Sequence, residues 1–339
     1  MRAPAFWWQP GRGTLLSPLA AIYGVAAWLR LRGEGRRAGV PVICVGNLTV
    51  GGAGKTPAAL AVARLLLAAH ERPFFLTRGY GGRLAGPIQV SVSSHRATEV
   101  GDEPLLLARL ASTIVARNRL AGAQAARVGG ASIIVMDDGF QNPSLAKDLS
   151  ILVVDGRRGI GNGRIVPAGP LRAPLEAQVA RAQALVIVGP GDAADAAAAI
   201  ARRHGVALFR GRLEPDRQTL AALAGRKILA FAGIADPDKF FATLTDGGLA
   251  VAERKTFADH HCYTPAEARA LLECAQAQNL MLVTTEKDHV RLAGDPRLAA
   301  LAARAGALPV RFVVEEQDAF RDMVLNVVKK KVSAERTSA

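Results

Sequence analysis

A chain of 339 residues, half of them apolar, can bury the core of one large domain or two, which excludes an intrinsically disordered protein. Its 43 Lys and Arg outnumber 29 Asp and Glu to give a net charge of +14, and that surplus favours an anionic partner: nucleic acid, acidic lipid headgroups or a phosphorylated substrate. Only 5% of the residues are aromatic and none interleave with a basic cluster, so base stacking is disfavoured and no nucleic-acid partner is expected. Cys44, Cys262 and Cys274 have no CxxC spacing, which speaks against a disulfide framework or a zinc site and fits a reducing compartment.

In chain order, the first feature is the apolar run Leu15 to Leu29, set between Trp7, Trp8 and Trp28 and the basic residues Arg30, Arg32, Arg36 and Arg37. It is short of the about 20 apolar residues that span a bilayer and contains Ser17 and Pro18. An interfacial helix, with tryptophans at headgroup level and arginines against anionic lipid, fits the pattern; a buried amphipathic helix is the alternative. From about residue 40 short β-rich runs alternate with alanine-rich helical stretches, which predicts an α/β fold with a mostly parallel sheet. The expected strands are "VPVICVG", "RPFFLT", "ASIIVMD", "LSILVVD", "ALVIVG" and "VALFRG", followed after "RLEPDRQTLAALAGR" by "KILAFAGI", "AVAERKTF", "LMLVTTEKD" and "LPVRFVVE". The expected organisation is a membrane-associated helix over 1–35, a P-loop-type core over 36–215, a smaller α/β domain over 222–328 and a frayed tail over 329–339.

The segment "GNLTVGGAGKTP" joins the first strand to the first long helix. A loop that holds phosphate turns successive backbone N–H groups inward, which needs glycine conformations, and places the positive end of a helix at the anion. Thr49, Val50, Gly51, Gly52, Ala53 and Gly54 supply such a loop, Lys55 is expected to reach the β- and γ-phosphates, and the Thr56 hydroxyl to ligate Mg²⁺. Pro57 suits the first helical turn, where its missing N–H costs nothing. The pattern GxxxxGK[ST] wants glycine where Thr49 stands, so the tight turn is expected to shift to Gly51 and Gly52. A second signal is "ASIIVMDDGFQ", an apolar strand ending in Asp137 and Asp138, two adjacent charges that repel unless a cation or a basic residue compensates them.

With these residues the chain resembles the tetraacyldisaccharide 4'-kinases of lipid A biosynthesis. The resemblance runs from about Gly11 to about Val328 through "GNLTVGGAGKTP", "LTRGYGGR", "GDEPLLLAR", "MDDGFQN", "GNGRIVPAGPLRAP", "FAGIADPDKFF", "FADHHCYT" and "TTEKDHVRL". It implies transfer of a phosphoryl group from ATP, with Mg²⁺, to the 4'-hydroxyl of a tetraacyldisaccharide 1-phosphate at the cytoplasmic face of the bacterial inner membrane. The apolar segment would then dock on an anionic membrane surface.

The resemblance also implies roles for individual residues. Asp102 of "GDEP" working with His260 of "FADHH" is the expected proton acceptor. Read alone, Asp102 is equally a helix N-terminal residue ahead of Pro104, and His260 a loop histidine with His261 beside it. Asp138 is expected to hold Mg²⁺ with Thr56, and Asp137 to be a second ligand or its orienter. Arg78, Arg117, Arg119, Asn162 and Arg172 are candidates for contacts with the disaccharide, its 1-phosphate or the nucleotide. Lys287 and Asp288 are expected either to pair with each other, to stabilise a domain contact or to touch substrate. Two positions depart from the family pattern: Ala173 stands for the glutamate of LREP, and Asn142 stands for a histidine after DDG[FL]Q. A nucleotide-driven switch is the competing reading, although no NKxD-type base-reading motif is present; a non-catalytic lipid-binding module would leave the loop and the paired aspartates without a use.

Overall fold

The computed structural model describes residues 4–9 and 11–337. Thirteen strands form two sheets: β1 (Val42–Asn47), β2 (Pro73–Thr77), β3 (Ile88–Gln89), β4 (Thr113–Val115), β5 (Ile133–Asp137), β6 (Leu149–Asp155), β7 (Ala184–Val188), β8 (Ala207–Pro215), β9 (Lys227–Ala232), β10 (Ala250–Thr256), β11 (Met281–Thr285), β12 (Ala305–Leu308) and β13 (Val310–Val314). The larger sheet has nine strands in the order β13-β8-β7-β6-β1-β5-β2-β4-β3, parallel except at its two edges, where β13 and β3 run antiparallel to their neighbours.

Its central strands are continuous apolar runs because helices cover both faces. Alternate residues of β1 divide between the two cores, Val42 and Cys44 to one side and Ile43 and Val45 to the other. The helix Lys55–Ala68 buries Ala58, Ala59, Val62, Ala63 and Leu66, a stripe at helical spacing laid along the second core. Because β1 lies between β5 and β6, with later strands fanning out on both sides, the segments leaving β1 and β5 emerge together at the carboxyl ends of the strands. That is where an open parallel sheet holds its ligands.

The smaller sheet, β10-β9-β11-β12, is wholly parallel and has a core on each face. Three strands escape the sequence pattern: β3 and β4 are too short to show a period, and β12 lies in an alanine-rich stretch that reads as helix. The strand in "LPVRFVVE", expected in the smaller unit, instead returns to the larger sheet as β13. It pairs with β8, so that Phe312 and Val314 join the core beneath the Lys55–Ala68 helix. The following helix, Gln317–Thr337, adds Phe320, Val324 and Val327 to the same core. The unit expected to end at 328 therefore ends before β13, and residues 329–337, expected to fray, continue that helix; 338–339 lie outside the described residues.

At the amino terminus the helix Ser17–Leu31 buries just Ala20, Gly24 and Leu31, with Ala27 partly buried against the core and the Ser17 hydroxyl accepting from Arg164. The Gly24 Cα comes so close to the Ile165 side chain that an added Cβ would lie 2.9 Å from it. Its remaining surface is apolar and open: Leu19 is 57% exposed, Ile22 71%, Val25 60% and Leu29 56%, and Leu15 in the turn just before it is 97% exposed. A buried amphipathic helix is therefore not what this segment forms. The tryptophans divide, since Trp7 is buried and its Nε1 donates to the Pro167 carbonyl at 3.0 Å, which removes it from the expected headgroup set. Trp28 is on the open side with Arg32 stacked over its ring at 4.5 Å.

Candidate active site

The loop between β1 and the Lys55–Ala68 helix divides into two halves. Its first half is strapped to the segment 164–172: Thr49 bridges to Leu171, and the Val50 amide donates to the Pro170 carbonyl at 2.8 Å. Both residues were expected to face phosphate, but the Val50 N–H is already used. In the second half Gly51 and Gly54 take φ of 113° and 87°, and the amides from Gly51 to Thr56 find no backbone acceptor among the described residues. They form a row of free donors at a helix start, which suits an anion. The Lys55 Nζ donates to the Gly51 carbonyl at 3.3 Å and lies 3.9 Å from Asp138 Oδ2. Burial lowers the Lys55 pKa, and the carboxylates around it oppose that effect.

The paired aspartates end β5 and point to different neighbours. Thr56 Oγ1 donates to Asp137 Oδ2 at 3.1 Å, while the other oxygen of Asp137 is buried with no partner. Burial first, then the charges of Glu103 and Asp138, push the Asp137 carboxyl up to about 7. Asp138, at φ 53°, accepts two bonds from Arg172, Nη1 at 2.8 Å and Nη2 at 3.1 Å. Burial alone would raise its pKa, but Lys55 and Arg172 outweigh that and hold it down. Gly139 closes the turn; a Cβ there would overlap the Met136 side chain.

An unpartnered buried carboxylate oxygen beside a hydroxyl is a donor set for a small hard cation, and Mg²⁺ would relieve the repulsion that raises Asp137. The set Thr56 and Asp137 fits Mg²⁺ better than the expected Thr56 and Asp138, because Arg172 already neutralises Asp138.

A third group of charges joins the two sheets. Asp102, 3% exposed at the start of the helix Asp102–Ala108, receives Arg291 Nε at 2.8 Å and has His260 Nδ1 at 3.1 Å. An ionised carboxylate only accepts, so His260 carries its proton on Nδ1, and its Nε2, 3.9 Å from Asp259 Oδ1, makes no hydrogen bond among the described residues. Although burial would raise Asp102, the bond to His260 and the charge of Arg291 hold its carboxyl well below the usual range. The bond to Asp102 in turn raises the His260 pKa. The Tyr80 ring meets His260 edge-on at 5.2 Å, and both line a cavity of about 140 Å³ with Asp102 and Arg291.

Arg291 is the hub of this group: its Nη1 donates to Asp288 Oδ1 and to the Gly233 carbonyl, both at 2.7 Å. Asp288 also accepts from Tyr263 at 2.8 Å and from the Gly233 amide at 3.0 Å. Beside it Lys287 pairs with Glu103 at 2.6 Å, linking the start of one helix to the start of another. Lys287 and Asp288 therefore do not pair with each other.

A model of the tetraacyldisaccharide-1-P 4'-kinase family matches residues 12–329. A tetraacyldisaccharide 4'-kinase of Rhodopseudomonas palustris is 52% identical over 327 residues, 96% of this chain and 95% of the relative, and one of Bradyrhizobium sp. is 48% identical over the full length of both. The chain belongs to the tetraacyldisaccharide-1-P 4'-kinase family. With the family comes its activity, ATP-dependent 4'-phosphorylation of a tetraacyldisaccharide in lipid A biosynthesis. The P-loop-type fold agrees: the crystal structure of Aquifex aeolicus LpxK in complex with ATP superposes with a TM-score of 0.71 at 26% identity, covering 93% of this chain and 99% of that one.

Within this 4'-kinase the remaining candidates separate. Arg119 is 3% exposed, donates to the Ala116 carbonyl and leaves its Nε buried without a partner. Arg78 and Arg117 are exposed. Asn162 is consumed structurally: its amide nitrogen donates to the Arg12 carbonyl at 3.0 Å and the Ala168 carbonyl at 2.9 Å, tying the amino-terminal segment down, which corrects its reading as a substrate contact. Asn142 caps a turn by accepting from Ser144, and Ala173 is fully buried in the core, leaving no room at that point for a carboxylate's water shell.

Sequence reasoning missed Arg291 and Glu103. Both stand inside the quoted motifs "TTEKDHVRL" and "GDEPLLLAR", and Arg291 follows Asp288 at i+3, the one available signal that they share a helix face.

Replacing Arg291 by methionine leaves Asp102 with His260 as its one contacting cation and Asp288 with neutral donors alone, so Arg291→Met is expected to lower stability by about 3–5 kcal/mol. Urea denaturation followed by circular dichroism measures this; an unchanged midpoint would show that the guanidinium contributes nothing to holding the sheets together.

Proposed function

We propose that the Gly51–Thr56 amides and Lys55 hold the phosphates of ATP, that Thr56 and Asp137 hold Mg²⁺, and that His260, oriented by Asp102, takes the proton of the sugar 4'-hydroxyl. The observation that carries this reading is the free row of amides at the helix start, with Lys55, Thr56 and the paired aspartates around it. Bound there, Mg²⁺ would neutralise charge on the β- and γ-phosphates. Asp102 is a poor proton acceptor, since Arg291 and His260 both favour its ionised form. His260 has an Nε2 that makes no hydrogen bond among the described residues and a pKa raised by its bond to Asp102.

The step balances. As the 4'-oxygen attacks the γ-phosphorus its proton passes to His260 Nε2, the bond from γ-phosphorus to the bridging oxygen breaks, and ADP leaves with those electrons. Asp102 stabilises the imidazolium until it releases the proton. Lys55 and Arg172 supply positive charge beside the phosphates, and Arg119, with its buried unpartnered Nε, is a further candidate for an anionic oxygen.

The helix Ser17–Leu31 is the docking element in this reading. Its run Thr14–Leu31 has a mean hydropathy of 1.4 and is only 17% buried, so its open face offers apolar side chains to lipid, with Arg30 and Arg32 at its end against anionic headgroups. The glycolipid's acyl chains and the enzyme then share one surface, which delivers the 4'-hydroxyl by lateral diffusion at the cytoplasmic face of the inner membrane.

Incubation with labelled ATP, magnesium and a tetraacyldisaccharide 1-phosphate should label the glycolipid, and Lys55→Ala should cut the rate by about 10²-fold or more; equal labelling by the variant removes the role of the loop. In Asp102→Asn the cause of the raised His260 pKa is gone, so that pKa falls. Because His260 must be unprotonated to accept, the acidic limb of the kcat/KM profile should move to lower pH while turnover drops about 10²-fold. A limb that does not move would exclude His260 as the acceptor. On vesicles containing phosphatidylglycerol, Ile22→Glu combined with Val25→Glu should shift the enzyme from pelleted vesicles to the supernatant; an unmodified chain that never pellets would contradict lipid docking.

A further inference from the structure

The loop's first half lacks the glycine that a phosphate loop uses at Thr49, yet its backbone is held without strain: Gly51 and Gly54 alone among these residues take positive φ. What replaces the glycine is a buried chain of side-chain amides. Gln178, in the short helix Leu175–Val179 and fully buried, donates from Nε2 to the Ala173 carbonyl at 2.8 Å and to the Leu48 carbonyl at 3.3 Å. Its Oε1 accepts from Gln141 Nε2 at 3.0 Å, and that same nitrogen donates to the Asn47 carbonyl at 2.9 Å. Gln141 Oε1 accepts from Arg172 Nη1 at 3.3 Å, while Arg172 Nε donates to the Thr49 carbonyl at 3.1 Å and its two terminal nitrogens hold Asp138. The carbonyls of Asn47, Leu48 and Thr49 are thus each bound from the side of this network, and the Asn47 side chain reaches forward to the Gly51 carbonyl at 3.1 Å.

Holding successive carbonyls on one side fixes which way the intervening peptide planes face, and so fixes where the amides that follow can point. We propose that Gln178 is a positioning residue of the nucleotide site: chiefly through Gln141, and with the Leu48 carbonyl also held by the Arg172 backbone amide at 3.0 Å, it locks the start of the loop in the orientation that aims the Gly51–Thr56 amides at the phosphates. The inference rests on the reading that this loop binds ATP. Gln178 is fully buried, so it acts on the site through its neighbours. It is joined to Asp138 only through Gln141 and Arg172, so a loosened network should weaken the grip on ATP and leave the proton transfer at His260, in the other charge cluster, largely as it was. Burial makes the amide demanding as well as useful, since a side chain of equal size without donors leaves the Ala173 carbonyl and the Gln141 amide short of a partner.

The test measures KM for ATP, KM for the glycolipid and kcat in the full-length enzyme. Gln178→Met, which keeps the volume and loses all three bonds, should raise KM for ATP about 10-fold and leave KM for glycolipid and kcat at saturating ATP within about 3-fold. Gln178→Glu keeps the accepting oxygen and loses the donors, so it should raise KM for ATP in the same way. If Gln178→Met fails to fold, this variant carries the expectation alone. In a Gln141→Met background the effect of Gln178→Met should largely disappear, because its main route, through Gln141, is already cut and only the contacts with Leu48 and Ala173 remain; additive effects would overturn the proposal. An unchanged KM for ATP, or a fall in kcat with KM fixed, would overturn it too. Lys55→Ala separates the two readings: if that variant keeps its ATP affinity the loop is not the nucleotide site at all, whereas a loss there with unchanged Gln178 variants refutes only the role of Gln178.

Discussion

The architecture depends on one buried guanidinium. Arg291 lies between Asp102, which starts a helix of the larger sheet's unit, and Asp288, three residues earlier on its own helix beside the smaller sheet. Ion pairs withdrawn from water rarely improve stability over apolar packing, because desolvation offsets the attraction, but they fix geometry firmly. Here the geometry matters. The carboxylate that Arg291 holds ionised is the one that orients His260, so the contact between the two units and the state of the proposed proton acceptor are set by the same group.

Around that hub the charges are arranged so that each carboxylate has a different task. Asp102 is kept ionised by Arg291 and His260, Asp138 by Arg172 and Lys55, and Glu103 by Lys287, although burial works against all three. Asp137 alone lacks a cationic partner in contact, and it is the carboxyl whose pKa rises. An acid left short of positive charge among acids that are compensated is suited to an external cation, which is the physical basis for proposing Asp137 rather than its neighbour as the Mg²⁺ ligand.

The same separation of tasks runs through the surfaces. The amino-terminal helix contributes little to the core and leaves its large apolar side chains open, while Trp7 and Asn162 anchor the segment that leads into it. A helix built for stability would show the reverse distribution, with the large side chains inward. The segment 164–172 then connects this anchor to the glycine loop after β1, since it is tied to the amino terminus through Asn162 and to the loop through Leu171 and Arg172.

Much of this protein is legible in its linear order. The apolar runs of β1, β5, β6 and β7, the glycines and lysine after β1, and the aspartates after β5 are local signals, because a buried parallel strand and a phosphate loop each need particular residues at consecutive positions. What the chain's order does not reveal is which distant groups meet. That β13 leaves the smaller sheet to pair with β8, that Asp138 is taken by Arg172 and Asp137 left free, that Asn162 is spent on backbone carbonyls, and that Gln178 reaches Leu48 across 130 positions are consequences of packing. Hydrophobic period and motif spacing specify elements, whereas the partner of a buried polar group is chosen only once the elements have closed around it.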